Sequence, residues 1–184
     1  MADPEVMSPA SVLNAWIEAG PARWFAKDDA FDADLRARFE DAHRTAANAG
    51  FAEWEATPEG TLALLLLLDQ IPRNIYRGSA QAFATDARAR EVAVGSIAKS
   101  FDQGFEAAVR CFFYLPFEHS ESVADQARSV ELFEALGDAD YLKYAVQHRD
   151  IIARFGRFPH RNAVLGRQST AAELAYLQSG GFAG

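Results

Sequence analysis

Apolar side chains recur at helical spacing along most of the chain, and no segment alternates convincingly as a strand would. Between Asp29 and Gly50, Phe31, Leu35, Phe39, Ala42 and Ala46 share a stripe, which predicts a helix capped by Asp29 and stopped by the glycine. Thr57-Pro58-Glu59 reads as a start signal: a capping hydroxyl, a proline at the first position and a carboxylate near the positive helix end. The run Leu62–Leu68 that follows has no polar side, so this helix is expected to be central and buried all round. Thr85 or Asp86 opens another, with Ala89, Val92, Ala93, Ser96 and Ile97 inward. An aromatic-rich helix is expected from Phe105 to Tyr114, ending where Pro116 forces Leu115 out of the helical region. Ser120 or Ser122 caps the next, with Val123, Ala127, Val130 and Phe133 inward, closed by Gly137. Asp138 caps a helix striped by Tyr141, Ala145, His148, Ile152 and Phe155 and closed by Gly156. Pro159 starts a short helix ending at Gly166, and Thr170 with Glu173 forms a capping box for the last. The expectation is an all-α chain of about eight or nine helices, one domain over residues 1–184, with no linker and no exact repeat.

Composition narrows the classes. The 184 residues are enough for one sizeable core, and 49% hydrophobic with 24% charged residues is a globular balance. The longest apolar run, Leu62–Leu68, is far short of a membrane span, and the N-terminus has no basic region followed by an apolar core. A cytoplasmic, soluble protein is expected. One cysteine, Cys111, excludes an internal disulfide framework and a multi-cysteine zinc site, and reads as inert packing. A net charge of −8 argues against a nucleic-acid surface. The charge is uneven, however. Residues 143–168 carry Lys143, Arg149, Arg154, Arg157, Arg161 and Arg167 against Asp150 alone. Such a local field suits a small anion, or it is matched by acidic helices from the N-terminal half.

Two stretches share a grammar: an apolar helix, then proline, arginine and asparagine. In "LLLLLDQIPRNIYRG" (Leu64–Gly78), Pro72 has no N–H for the carbonyl of Leu68, so the helix kinks or ends there and leaves carbonyls beside polar side chains. If the helix continues, Asp69, Arg73 and Arg77 lie on one face, with Gln70 and Asn74 beside them. Asp69 directly after five leucines needs a cation, and Arg73 is one turn away; the pair is either an internal tie or part of a ligand site. In "FGRFPHRNAVLGR" (Phe155–Arg167), Gly156 ends the helix and Pro159 precedes His160, Arg161 and Asn162. Arginine recognises carboxylate or phosphate with two parallel hydrogen bonds, which makes Arg73, Arg77, Arg149, Arg157, Arg161 and Arg167 candidate anion ligands, with Asn74, Gln126 and Asn162 alongside. The two stretches are expected to build one cleft.

His43 sits among Asp41, Arg44 and Thr45 on a face expected to be solvated. His148 is on an apolar stripe, His119 in the loop "LPFEHSESVADQ", and His160 in the arginine cluster. Each of these three is a candidate acid or base together with Asp69, Asp125 or Asp150, although a satisfied core histidine is the plainer reading of His148. No pair has the helical spacing of the familiar zinc motif, so neither a metal nor a cofactor is expected. No nucleophile elbow, P-loop or dinucleotide fingerprint is present. Trp16, Trp24 and Trp54 read as core anchors.

The segments "RWFAKDDAFD" (Arg23–Asp32), "LLLLLDQIPRN" (Leu64–Asn74), "FATDARAREVA" (Phe83–Ala93), "FFYLPFEHSE" (Phe112–Glu121) and "HRDIIARFGRFPHRNAVLGR" (His148–Arg167) together resemble the bacterial domain of unknown function 924 family. Ile71 stands where phenylalanine is expected in many relatives, a conservative departure. The resemblance implies a tetratricopeptide-like (TPR-like), right-handed helical superhelix and no established activity. Three functions compete: binding of a small anionic molecule or an acidic peptide end in an Arg/His/Asn cleft, a hydrolase or transferase acting on a carboxylated or phosphorylated metabolite, and an interaction scaffold.

Overall fold

Helix dominates residues 7–182, which the computed structural model describes, and no strand occurs among them. Two compact units are formed, one from residues 7–77 and Gln81–Pro116, the other from Gly78–Ala80 and residues 117–182.

The first unit begins with α1 (Pro9–Ala19), capped reciprocally by Ser8 and Ser11, and a short α2 (Pro21–Trp24). Asp28, one residue earlier than expected, caps α3 (Asp29–Ala47): its carboxylate accepts from the N–H groups of Ala30 and Phe31. Thr57 caps α4 (Pro58–Leu65) through the Gly60 N–H. A π-helical turn, Leu66–Gln70, then leads into α5 (Ile71–Ile75). Every residue from Gly60 to Pro72 is buried, so α4 and the π turn are central to this unit, with α1, α3 and α6 (Asp86–Ala98) packed against them. Seven consecutive apolar residues out of water, at about 1.5–3 kcal/mol per large side chain, outweigh the poor propensity of a π turn. Trp16, Trp24 and Trp54 are all buried, as core anchors should be.

The aromatic segment differs from expectation. Phe105 and Glu106 are extended, α7 covers only Ala107–Arg110, and Cys111–Phe113 tightens into a 3-10 turn. Leu115 then opens a new turn, α8 (Leu115–Glu118), in which Pro116 occupies the second position and needs no N–H partner.

In the second unit Ser122 caps α9 (Val123–Leu136), Gly137 closes it in the left-handed region, and Asp138 caps α10 (Ala139–Phe155). The two form a helix hairpin. Val123 faces outward, 67% exposed; the buried face of α9 is Gln126, Ser129, Leu132 and Phe133. After Gly156 the expected short helix is a single 3-10 turn, Pro159–Arg161, and Thr170 and Glu173 build the predicted capping box of α11 (Ala171–Gln178).

Candidate functional site

In the first unit the backbone explains the polar residues. Pro72 lacks the N–H that would bond Leu68, and the Ile71 N–H reaches back five residues to the Leu66 carbonyl. The carbonyls left over are taken by side chains. Leu67 O accepts from His43 Nδ1 at 2.8 Å, Leu68 O from the Thr85 hydroxyl, and Asp69 O from Arg73 at 2.6 Å. A carbonyl can only accept, so His43 carries its proton on Nδ1. The ring is buried, not solvated as its neighbours suggested, and burial pulls its pKa below the ordinary 6.5.

Asp69 is 1% exposed; the Gln70 amide donates to it and Arg73 Nη1 lies 3.1 Å away. Arg73 also makes a bidentate pair with Asp86 of α6, at 2.9 and 3.0 Å. Burial alone would lower its pKa, but Asp69 and Asp86 outweigh burial and raise it. Asn74 and Arg77 both turn to Asp32 of α3, at 2.8 Å and at 2.9 and 3.2 Å. Asp69, Arg73, Asn74 and Arg77 thus tie α3, α5 and α6 around the π turn.

The second unit treats its arginines differently. Arg167 donates to both oxygens of Glu121, at 2.7 and 3.0 Å, and the Phe158 N–H donates to the same carboxylate at 2.8 Å. Burial pushes the Glu121 carboxyl up, but these donors outweigh it and hold it below the ordinary range. Arg157 grips both oxygens of Glu173, at 2.6 and 2.9 Å, and that carboxyl is held well down chiefly by Arg157. Asn162 supports the same carboxylate and donates to Ser169 at 3.1 Å. Arg149 spends two donors on its exposed neighbour Asp150. Arg161 is only 6% exposed and sits over Phe158, its central carbon 4.5 Å from the ring centre.

Two of the three remaining histidines stand against that ring, and the third stands beside one of them. His148 and His160 stand 5.4 and 5.6 Å from Phe158, centre to centre, and His119 stands 6.5 Å from His148. His148 Nδ1 donates to Tyr144 O at 2.9 Å and lies 3.4 Å from the buried Glu118 carboxylate. Its Nε2 therefore carries the lone pair. Burial depresses its pKa to about 3, with His119, Arg161 and His160 adding to the effect, so the ring is neutral across the physiological range. Gln126 is fully buried and its amide donates to the carbonyls of Phe117, Glu118 and Ser120, which fixes the end of α8 and the His119 loop after it. Among the described residues no group of three or more His, Cys, Asp or Glu side chains has the geometry to hold a metal, and no helix is long and apolar enough to cross a membrane.

Residues 12–181 match the family model "Bacterial protein of unknown function (DUF924)". The chain belongs to this family. A solved structure described as a protein of unknown function from Agrobacterium tumefaciens is 47% identical, with a TM-score of 0.90, over 93% of this chain and 97% of that one. No curated protein matches.

In this DUF924 chain, sequence reasoning found the arginines and histidines but missed their acidic partners Glu118, Glu121 and Glu173 and the rings of Phe158 and Phe182. Glu118 and Glu121 had a signal: both stand within two residues of His119 in the segment that follows Pro116. Phe182 had none beyond its aromatic character; its ring lies 4.6 Å from His148 and 5.3 Å from His160.

Proposed function

We propose that the second unit binds a small anion, a carboxylate or phosphate on a metabolite or an acidic peptide end, beside Arg161, His119, His148 and His160. One observation carries the reading: a buried guanidinium and two imidazoles share the Phe158 ring, with a third imidazole next to them. The same stretch carries donors that match a carboxylate, since Arg167, Arg157 and the Phe158 N–H already hold two of the chain's own. Gln126 acts here as a positioning residue for the His119 loop. A tetratricopeptide-like stacking of helix pairs, of which α9 and α10 would be one, is part of this proposal, as is a cytoplasmic location.

Binding is favoured over catalysis by magnitude. A general base works best with a pKa near the working pH, and a His148 that titrates at about 3 is a weak base there. The hydrolase or transferase alternative rests on the Glu118–His148 contact, which could serve as an acid/base pair only if a ligand raised the histidine's pKa. The test is thermal denaturation with phosphate, sulfate or succinate. At tenfold excess over Kd an anion stabilises by about 1.4 kcal/mol, a Tm rise of about 3–6 °C, with chloride as the ionic-strength control. Arg161→Gln abolishes the rise without changing helix content. No anion-specific rise at any millimolar concentration overturns the reading.

A further inference from the structure

Phe158, fully buried, is held by its backbone as well as by its ring. Its N–H donates to Glu121 Oε1 at 2.8 Å, and its carbonyl accepts from Arg167 Nη2 at 3.1 Å. Arg167 also donates to both oxygens of Glu121, at 2.7 and 3.0 Å. The three residues close a circuit: a carboxylate, which only accepts, takes the N–H, and a guanidinium, which only donates, takes the carbonyl. The same Phe158 carbonyl accepts from the Arg161 N–H at 3.1 Å, the bond that closes the 3-10 turn bearing His160 and Arg161. The ring and the turn therefore share one anchor. Local structure delivers both members of the pair. Glu121 lies between two serines whose backbone is fixed: Ser120 Oγ accepts from the Ser122 N–H, the Gln126 amide takes Ser120 O, and Ser122 caps α9. On the other side Gly166, at φ +65°, lets the chain fold back, and the Arg167 N–H donates to Asn162 O at 2.8 Å.

We infer that Glu121 and Arg167 are positioning residues of the second-unit site: they act through Phe158, fixing the ring against which Arg161, His148 and His160 stand, and Arg167 is not one of the groups that meet the anion. The inference rests on the anion-binding reading for its ligand. Both terminal nitrogens of Arg167 are already given to Glu121 and to the Phe158 carbonyl, so the residue is committed to the chain's own acceptors. A partly exposed ion pair stabilises only modestly; what this one secures is the place of Phe158. Interiors are close-packed, so a shift of that ring shifts the guanidinium and the imidazoles packed on it. The two possible roles of Glu121 have opposite signs. A carboxylate that merely adds negative charge, or merely occupies Arg167, opposes an anion, and its removal tightens binding. A carboxylate that holds Phe158 in place supports binding, and its removal weakens it. Glutamine cannot replace it, because an amide offers one acceptor oxygen to the donors of both Arg167 and Phe158.

Calorimetric titrations of acetate and inorganic phosphate on the full chain, on Glu121→Gln, on Arg167→Gln and on the double variant decide the sign. Each single variant is expected to bind the anions about 2- to 10-fold more weakly, the range that one misplaced hydrogen bond supplies. The double variant binds no more weakly than the single ones, because the two residues act as a unit. Glu131→Gln, which removes an exposed carboxylate of the same unit, leaves binding unchanged. Independently of any ligand, the His148 ring resonances feel the ring current of Phe158, 5.4 Å away; they shift in Glu121→Gln and Arg167→Gln and stay in place in Glu131→Gln. Arg167→Lys keeps the charge without the fork and shows the same two effects should a glutamine variant melt. Anion binding that is unchanged or tighter in Glu121→Gln overturns the positioning role, as do unmoved His148 resonances. A wild-type chain that binds neither anion ends the anion reading instead, and the His148 resonances then decide alone whether the pair positions the Phe158 cluster.

Discussion

Leu64–Gly78 and Phe155–Arg167 use nearly the same letters and build different things. Both end an apolar segment, place a proline, and follow it with arginine and asparagine. In the first, the proline interrupts a helix that carries on, and the consequence is a π turn whose carbonyls accept from His43, Thr85 and Arg73, while Asn74 and Arg77 turn to Asp32. In the second, Gly156 has already ended the helix, and the proline begins a three-residue 3-10 turn, with the Phe158 carbonyl before it accepting from Arg167. Arg157 and Arg167 meet glutamates from distant positions, and His160 and Arg161 stand against the Phe158 ring. What decides the role of the motif is whether the proline falls inside a helix or after one. A polar group that caps a freed carbonyl is structural; the group proposed as a site is the one gathered on an aromatic ring beside other titratable side chains.

The sharpest way to break this contrast is to remove one acid from each stretch. Asp69→Ala strips a buried carboxylate from Arg73 and Gln70 and is expected to cost about 3–5 kcal/mol, toward the lower end because Arg73 retains Asp86. Glu121→Ala, whose pair with Arg167 is about a quarter exposed on each side, is expected to cost about 1–2 kcal/mol. Urea unfolding with unchanged m-values measures both. Equal costs would mean that the second stretch is as structural as the first.

Each unit also buries one neutral histidine, which gives a pH test. His43 and His148 have folded pKa values below their ordinary 6.5. The unfolded chain therefore binds more protons than the folded one below pH 6.5, and stability is intact above that pH and lost as pH falls, for His148 toward about 3. Each histidine contributes a slope of at most about 1.4 kcal/mol per pH unit, so at most about 2.7 kcal/mol between pH 6.5 and 4.5. Below the ordinary Glu value of 4.5 the depressed carboxyls of Glu121 and Glu173 add loss in the same direction, so the window above it isolates the histidines. His148→Gln and His43→Gln should each flatten part of the acid limb. A wild-type stability that is level from pH 6.5 to 4.5 contradicts both assignments.

The parts of the fold that were legible are those decided within a turn of themselves. Thr57, Ser122, Asp138 and Thr170 cap because their side chains reach N–H groups two or three residues on, and Gly137 and Gly156 close helices because they alone enter the left-handed region cheaply. What was not legible depended on distant partners. His43 reads as solvated from its neighbours, yet it is buried because the π turn offers it a carbonyl 24 residues away. Gln126 interrupts the apolar face of α9 because the carbonyls of Phe117 and Glu118 at the end of α8, and of Ser120 just after it, need a donor there. The arginines of residues 157–167 could be seen, but not that Glu121 and Glu173 neutralise two of them. A periodic pattern tells which face turns inward; it does not tell which polar group will be waiting.

The smallest expected effect separates the site from its surroundings. Arg149 immediately follows His148 in sequence and was a candidate ligand on chemistry alone. A helix turns about 100° per residue, so the neighbour of a buried position points elsewhere. Arg149 is 42% exposed at the side chain and its donors go to Asp150, itself 63% exposed. An exposed pair of this kind is worth about 0.2–1 kcal/mol, and salt screens much of that. Arg149→Ala is therefore expected to change stability by less than about 0.5 kcal/mol and to leave the anion-induced rise in Tm intact, where Arg161→Gln removes it. The two variants differ in charge by nothing and in position by twelve residues, so a shared loss of the anion effect would show that net positive charge on the second unit, not the Phe158 cluster, is what the anion recognises.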